Sequence, residues 1–132
     1  MGLSIPLVKS DKVRGGEIVS RILAGEGVDT VFGIIDGTYF GFYSTLKPNG
    51  IKLITPRHET SAAHMAGAYA RVTGRLGVCM ASNGPGVANI LPGIAVENAE
   101  GNRVLVIIMH IKNIGYHMII TACVDTRARF IK

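Results

Sequence analysis

Two hydrophobic periods alternate along this chain. Glu17 to Glu26 follows the helical one, with Ile18, Ile22 and Leu23 on one face and Gly25 and Gly27 as a stop. Thr30 to Ile35 is a continuous apolar run, as a strand buried on both faces requires. Tyr39 to Leu46 predicts a short aromatic helix ended by Pro48-Asn49-Gly50. Lys52 to Thr55 then predicts a second strand, and Glu59 to Thr73 a long helix rich in small residues. Leu76 to Ala81 reads as a third strand, Val87 to Asn98 as a helix interrupted by Pro92-Gly93, and Arg103 to Ile108 as a fourth strand. Strands alternating with helices imply right-handed crossover units and a parallel sheet. The expected fold class is α/β, a three-layer α/β/α arrangement with a mainly parallel, flavodoxin- or Rossmann-like sheet. Residues 109–132 break the pattern. Met118 to Val124 reads as one extra strand and nothing there announces a helix, so the expected organisation is a domain over 1–108 followed by a divergent tail over 109–132.

Composition sharpens this picture. The chain has 132 residues, enough for one domain, and 48% of them are apolar, enough for a real core. Seventeen glycines and no tryptophan mean a core of Ala, Val, Ile and Leu around many tight turns, which suits an α/β layer protein better than a β-sandwich. The longest fully apolar run, Val104 to Met109, is far too short to span a bilayer. The start, Met1-Gly2-Leu3-Ser4-Ile5-Pro6, has Pro6 where a myristoylation signal needs Ser or Thr, and lacks the layout of a signal peptide. Cys79 and Cys123 both lie in apolar strand-like surroundings and read as free thiols. The expectation is a cytoplasmic protein without a membrane partner. Of the net charge of +5, residues 109–132 supply +3, from Lys112, Arg127, Arg129 and Lys132 against Asp125. Four scattered charges without interleaved aromatics read as solvated surface rather than a nucleic-acid interface.

Three strand ends carry candidate chemistry. Glu59 follows the second strand and sits on the first turn of a helix nearly bare of other charge. It either complements the helix dipole or faces a ligand at the carboxyl edge of the sheet. The stripe Ala62, Ala63, Ala66, Gly67 and Ala70 lets that helix approach a neighbour closely. Such an approach would bury the glutamate and make it a candidate acid/base group that needs a partner. Ser82-Asn83-Gly84-Pro85-Gly86-Val87-Ala88-Asn89 follows the third strand. It is either a tight turn with Pro85 near N1 or a loop whose N–H groups meet a ligand. A dinucleotide fingerprint is excluded, because Asn89 occupies the third glycine position and no acidic residue ends a strand about twenty residues on. Asp36-Gly37 follows the first strand, with Asp36 expected to cap the next helix or, secondarily, to meet a ligand. His58, His64, His110 and His117 have no metal spacing, and no metal site is expected.

Six segments, in order, resemble a known family. Gly16-Glu17-Ile18-Val19 with Leu23 and Gly27-Val28, then Val31-Phe32-Gly33, Arg57-His58-Glu59, Ala63-x-Met65-Ala66-x-x-Tyr69-Ala70-Arg71, Gly84-Pro85-Gly86-x-x-Asn89 and Val104-Leu105-Val106-Ile107 resemble the N-terminal, pyrimidine-binding domain of thiamine diphosphate-dependent enzymes. The flavour is that of acetolactate synthase and related 2-oxo acid decarboxylases, and the resemblance covers about residues 14 to 108. It implies that Glu59 hydrogen-bonds the aminopyrimidine ring and promotes the tautomer that activates the thiazolium carbon. It also implies that Asn83, Gly84, Pro85, Gly86 and Asn89 lie against the cofactor, with Asp36 and Gly37 nearby. Asp36-Gly37 departs from the family's usual turn, which touches substrate-side contacts rather than the fold. The family's Gly-Asp-Gly motif, which binds diphosphate and Mg²⁺ in a second domain, does not occur here. The resemblance therefore implies a half-site: a truncated domain with a tail unlike the family's, inactive alone and holding only the aminopyrimidine end. The alternatives are the small subunit of a two-chain decarboxylase or synthase, completed by a diphosphate-binding partner, and a non-enzymatic module with a basic tail. A homodimer or higher homo-oligomer is expected.

Overall fold

A computed structural model describes residues 14–112 and 115–124, and the basic end carrying Arg127, Arg129 and Lys132 lies outside them. The elements run α1 (Gly15–Gly25), β1 (Thr30–Gly33), a 3-10 turn (Gly37–Tyr39), α2 (Phe40–Leu46), a second 3-10 turn (Lys47–Asn49), β2 (Lys52–Ile54), α3 (Glu59–Thr73), β3 (Gly77–Ala81), α4 (Pro85–Ala99), β4 (Val104–Lys112) and β5 (Gly115–Val124). They build one five-stranded sheet in the order β2-β1-β3-β4-β5. The first four strands are mutually parallel, and β5 closes the far edge antiparallel to β4.

Side chains alternate across the sheet with the strand period of two. Val31, Val78, Met80 and Ile107 point to one face, where Leu23 of α1 and Phe42 and Leu46 of α2 cover them. Phe32, Cys79, Ala81, Val104 and Val106 point to the other, against Ala62, Ala63 and Ala66 of α3 and Ile90 of α4. Burial on both faces explains the unbroken apolar run at β1. Glycines at positive φ end the helical segments: Gly27 (φ 79°) after α1, Gly50 (φ 77°) after the second 3-10 turn, and Gly74 (φ 70°) after α3.

Three sequence expectations shift in detail. The periodicity of α1 holds but its face is rotated: Ser20 and Leu23 are buried, while Ile18 and Ile22 are exposed. The cause is the close seat of α1 on α2, where a Cβ on Gly16 would strike the Gly41 carbonyl and Asn49 Nδ2 donates to Ser20 Oγ at 3.0 Å. Pro92 does not interrupt α4, which is continuous from Pro85 to Ala99. Pro92 and Ala88 are both exposed, so water can bond the carbonyl that the missing N–H leaves, and the neighbouring Gly93 is held against Ala63 and Thr60. Asp36 does not cap α2: Tyr39 is the N-cap, without a side-chain cap bond, and Asp36 contributes a carbonyl that accepts the Tyr39 N–H at 3.3 Å. The run Met118 to Val124 lies inside β5, and β4 continues to Lys112.

Two predictions follow from this packing. A Cβ at Gly77 would collide with the Ala66 carbonyl, and both are backbone-fixed. Gly77→Ala is expected to lower stability by about 2 kcal/mol or more in urea unfolding, and an unchanged midpoint would contradict the close α3–β3 seat. Burial, with the nearby charge of Glu97 adding to it, pushes the Cys79 thiol from 9.0 up to about 12. A thiol that stays neutral when folded contributes stability below pH 9, lost progressively as pH rises from 9 towards 12. In a Cys123→Ser chain, iodoacetamide should alkylate Cys79 at pH 8 no faster than the protein globally unfolds.

Candidate functional site

The sheet order places a topological switch between β1 and β3. The segment after β1 leaves towards the α1–α2 face, and the segment after β3 leaves towards the α3–α4 face. Open α/β sheets bind ligands in the crevice such a divergence leaves. The Asp36-Gly37 turn, Glu59 and the 82–86 loop follow β1, β2 and β3 respectively, so all three open on this edge. Tyr39, fully buried, ties two of them together: its hydroxyl donates to the carbonyl of Ala81, the last residue of β3, at 2.6 Å.

Glu59 is the first helical residue of α3. His58 is the N-cap, and its Nδ1 accepts the Thr60 N–H at 3.2 Å. That job explains His58 without a metal. Glu59 is 6% exposed, the one buried acidic group on this edge among the described residues. Its carboxylate accepts from Asn89 Nδ2 at 3.2 Å on Oε2 and from Ser82 Oγ at 3.4 Å on Oε1. Both bonds are long, and a carboxylate accepts about four. Glu59 therefore keeps acceptor capacity for a further donor.

The loop after β3 is shaped around this group. Gly84 is the N-cap of α4 at φ 62°, ψ −108°, a conformation that needs glycine, and Pro85 follows at N1. Gly86 is buried, and a Cβ there would come within 2.8 Å of Glu59 Oε1 and 2.9 Å of Ser82 Cβ. Asn83 is half-buried and Pro85 exposed beside it. Thr60 Oγ1 donates to the Asn89 carbonyl, so the first turns of α3 and α4 are joined by side chains in both directions. Glu59, Gly86 and Asn89 thus form one cluster. Gly84, Pro85 and Asn83 lie in the same loop, and Asp36 and Gly37 follow the end of β1, the strand next to β3 in the sheet. Ser82 opens the loop motif but is not among the contacts expected from the sequence; its place directly after the last residue of β3 brings its hydroxyl to Glu59. Among the described residues no group of three or more His, Cys, Asp or Glu side chains is placed to hold a metal ion.

This architecture defines a class of domain: a parallel α/β layer with a carboxylate presented at its switch point. The chain belongs to the family described as thiamine pyrophosphate enzyme, N-terminal TPP binding domain, which it matches over residues 13–126. It is 38% identical over 93 residues to a probable acetolactate synthase large subunit of Methanocaldococcus jannaschii, covering 70% of this chain and 16% of that one. It is 34% identical over 116 residues to a catabolic acetolactate synthase of Raoultella terrigena, covering 88% of this chain and 21% of that one. A probable 2-ketoarginine decarboxylase of Pseudomonas aeruginosa is 40% identical over 103 residues, 78% of this chain and 18% of its own length. The chain thus spans 16–21% of the length of these curated relatives.

One prediction tests the cluster directly. Alanine in place of glycine in a helix ordinarily stabilises by about 1 kcal/mol. Gly86→Ala should instead destabilise by about 1–3 kcal/mol, because its methyl displaces the Glu59 carboxyl. The near-isosteric Glu59→Gln should unfold close to the unaltered chain. A Gly86→Ala chain more stable than its parent in urea titration would refute the contact.

Proposed function

We propose that this chain binds the aminopyrimidine end of thiamine diphosphate at the Glu59 cluster and contributes half of a 2-oxo acid decarboxylase or synthase site. One observation carries the reading: a nearly buried carboxylate at the first residue of α3, with spare acceptor capacity, facing a glycine whose missing Cβ leaves room beside it. A flat heterocycle fits against a backbone without side chains, and its ring nitrogen would be a further partner for a carboxylate that accepts from Asn89 and Ser82.

When bound, thiamine diphosphate supplies the reactive carbon and the electron sink that the protein's side chains do not have. Glu59 would hold or return a proton at a ring nitrogen, from a position that the helix start and the long bonds to Asn89 and Ser82 set. Asn89 acts on the carboxylate rather than on the cofactor. Gly84 would let the ring approach the backbone, Gly86 would keep room for the Glu59 carboxyl that meets it, and Asn83 and Pro85 would border the ring, with Asp36 and Gly37 on the far side. Diphosphate and Mg²⁺ would be held by a separate domain, since the Gly-Asp-Gly motif does not occur in this sequence. Relatives several times longer than this chain have room for such a domain. Without such a domain, the described residues would not turn over a 2-oxo acid.

Self-association belongs to the same reading. Met65 and Val72 on α3 and Leu91 and Val96 on α4 are exposed apolar side chains, which favour a homodimer or higher oligomer. No helix among the described residues is long and apolar enough to cross a membrane, and the cytoplasm is the proposed compartment.

Isothermal titration with thiamine diphosphate and Mg²⁺, with light scattering on the same sample, tests both claims. Binding is expected, weakened at least about tenfold by Glu59→Gln through loss of one charge-assisted hydrogen bond. Equal affinity in the variant, or no heat from the unaltered chain at millimolar cofactor, would overturn the site. A monomeric mass would overturn the association.

A further inference from the structure

A second buried carboxylate plays no part in the site described so far. Glu97, on the last turn of α4, is 1% exposed. Its Oε1 lies 2.8 Å from Nδ1 of His64 on α3, and its Oε2 accepts from Asn102 Nδ2 at 2.6 Å. Gly67 of α3 lies directly under it, and any Cβ there would occupy the position of the carboxylate. The buried stripe of α4 is Gly86, Ile90, Gly93 and Glu97, so Glu97 ends the same face that Gly86 begins at Glu59.

The facing surfaces explain why a charge sits there. α3 offers Ala62, Ala63, Ala66, Gly67 and Ala70. Such side chains set how near two helices come but give little directional preference along the axis. Removing one partner of a hydrogen bond to a buried carboxyl leaves the other unsatisfied, and a buried polar group has its best-attested use in fixing helix register. We propose that Glu97 is a positioning residue: through His64 and Asn102 it fixes the register of α4 on α3, and with it the approach of Asn89 to Glu59. Asn89 lies about 12 Å away along α4, at the helix rise of about 1.5 Å per residue. The pairing of Arg71 with Glu100 beyond it is exposed and screened, and carries little of this task.

The test follows the Asn89 side-chain amide and the Gly86 backbone amide by ¹⁵N NMR in the full chain, with a thiamine diphosphate titration beside it. The register claim stands on the helix contacts, and only the titration rests on the cofactor reading above. Glu97→Leu, similar in volume, should keep the fold, move both resonances by more than their line width and weaken cofactor binding about tenfold. Glu97→Gln, which still accepts from Asn102 and can donate to the His64 ring, should leave both readouts in place. Should Glu97→Leu fail to fold, His64→Ala removes one arm from the half-exposed side and should move the same two resonances by less. Resonances unmoved in either folded variant would overturn the proposal. Resonances that move while cofactor affinity stays constant would uphold the register and overturn the cofactor role of Glu59.

Discussion

The close seat of α3 on its neighbours is the constraint on which the rest of this structure depends. Ala62, Ala63, Ala66, Gly67 and Ala70 remove the bulk that would keep α3 away from β3 and α4. Gly77 and Gly93 remove it from the other side, where their added Cβ atoms would meet Ala66 and Ala63. The close approach buries the two carboxyls that cross it, Glu59 and Glu97, so each must find a partner in the protein. Glu59 and Glu97 stand near opposite ends of this contact, each held by side chains from beyond its own helix. Among the described residues no buried side-chain nitrogen or oxygen is left without a partner.

A second tie works on the far side of the carboxyl edge's opposite end. Asp29, before β1, accepts from Tyr69 of α3 and from Thr30, and pairs with Arg75. Those donors, the Tyr69 hydroxyl first, hold its carboxyl below the usual range, and the same bond raises the Tyr69 phenol. The C-terminal turns of α3 are thereby fastened to the amino end of the sheet while its first residue is presented at the carboxyl end. Rigid support at one end and a spare acceptor at the other are what a carboxylate needs to meet a ligand in a fixed pose.

Much of this was legible from the chain. The helix Glu59 to Thr73 begins and ends where the pattern puts it, because a β-region N-cap and Gly74 mark both ends chemically. The four parallel strands were legible because burial on both faces leaves continuous apolar runs. The motif positions Glu59, Gly86 and Asn89 do converge. Reading failed where local signals compete with packing. Ile18 and Ile22 look like the inner face of α1, but the glycine contact with α2 turns Ser20 inward instead. Pro92 looks like a break, but exposure at that turn lets the helix run on.

The sequence by itself determined the order of elements, the parallel sheet and the three strand ends that carry the chemistry. Those depend on period and on glycine and proline punctuation, which are local properties. Only the tertiary structure decided which side chains touch. That Asn89 and Ser82 share Glu59, that Glu97 lies over Gly67, and that Tyr39 joins the β1 and β3 ends are contacts between residues 23 to 42 positions apart or on separate helices. No local pattern encodes them, because they exist only once crossover connections have brought distant segments to one edge of the sheet.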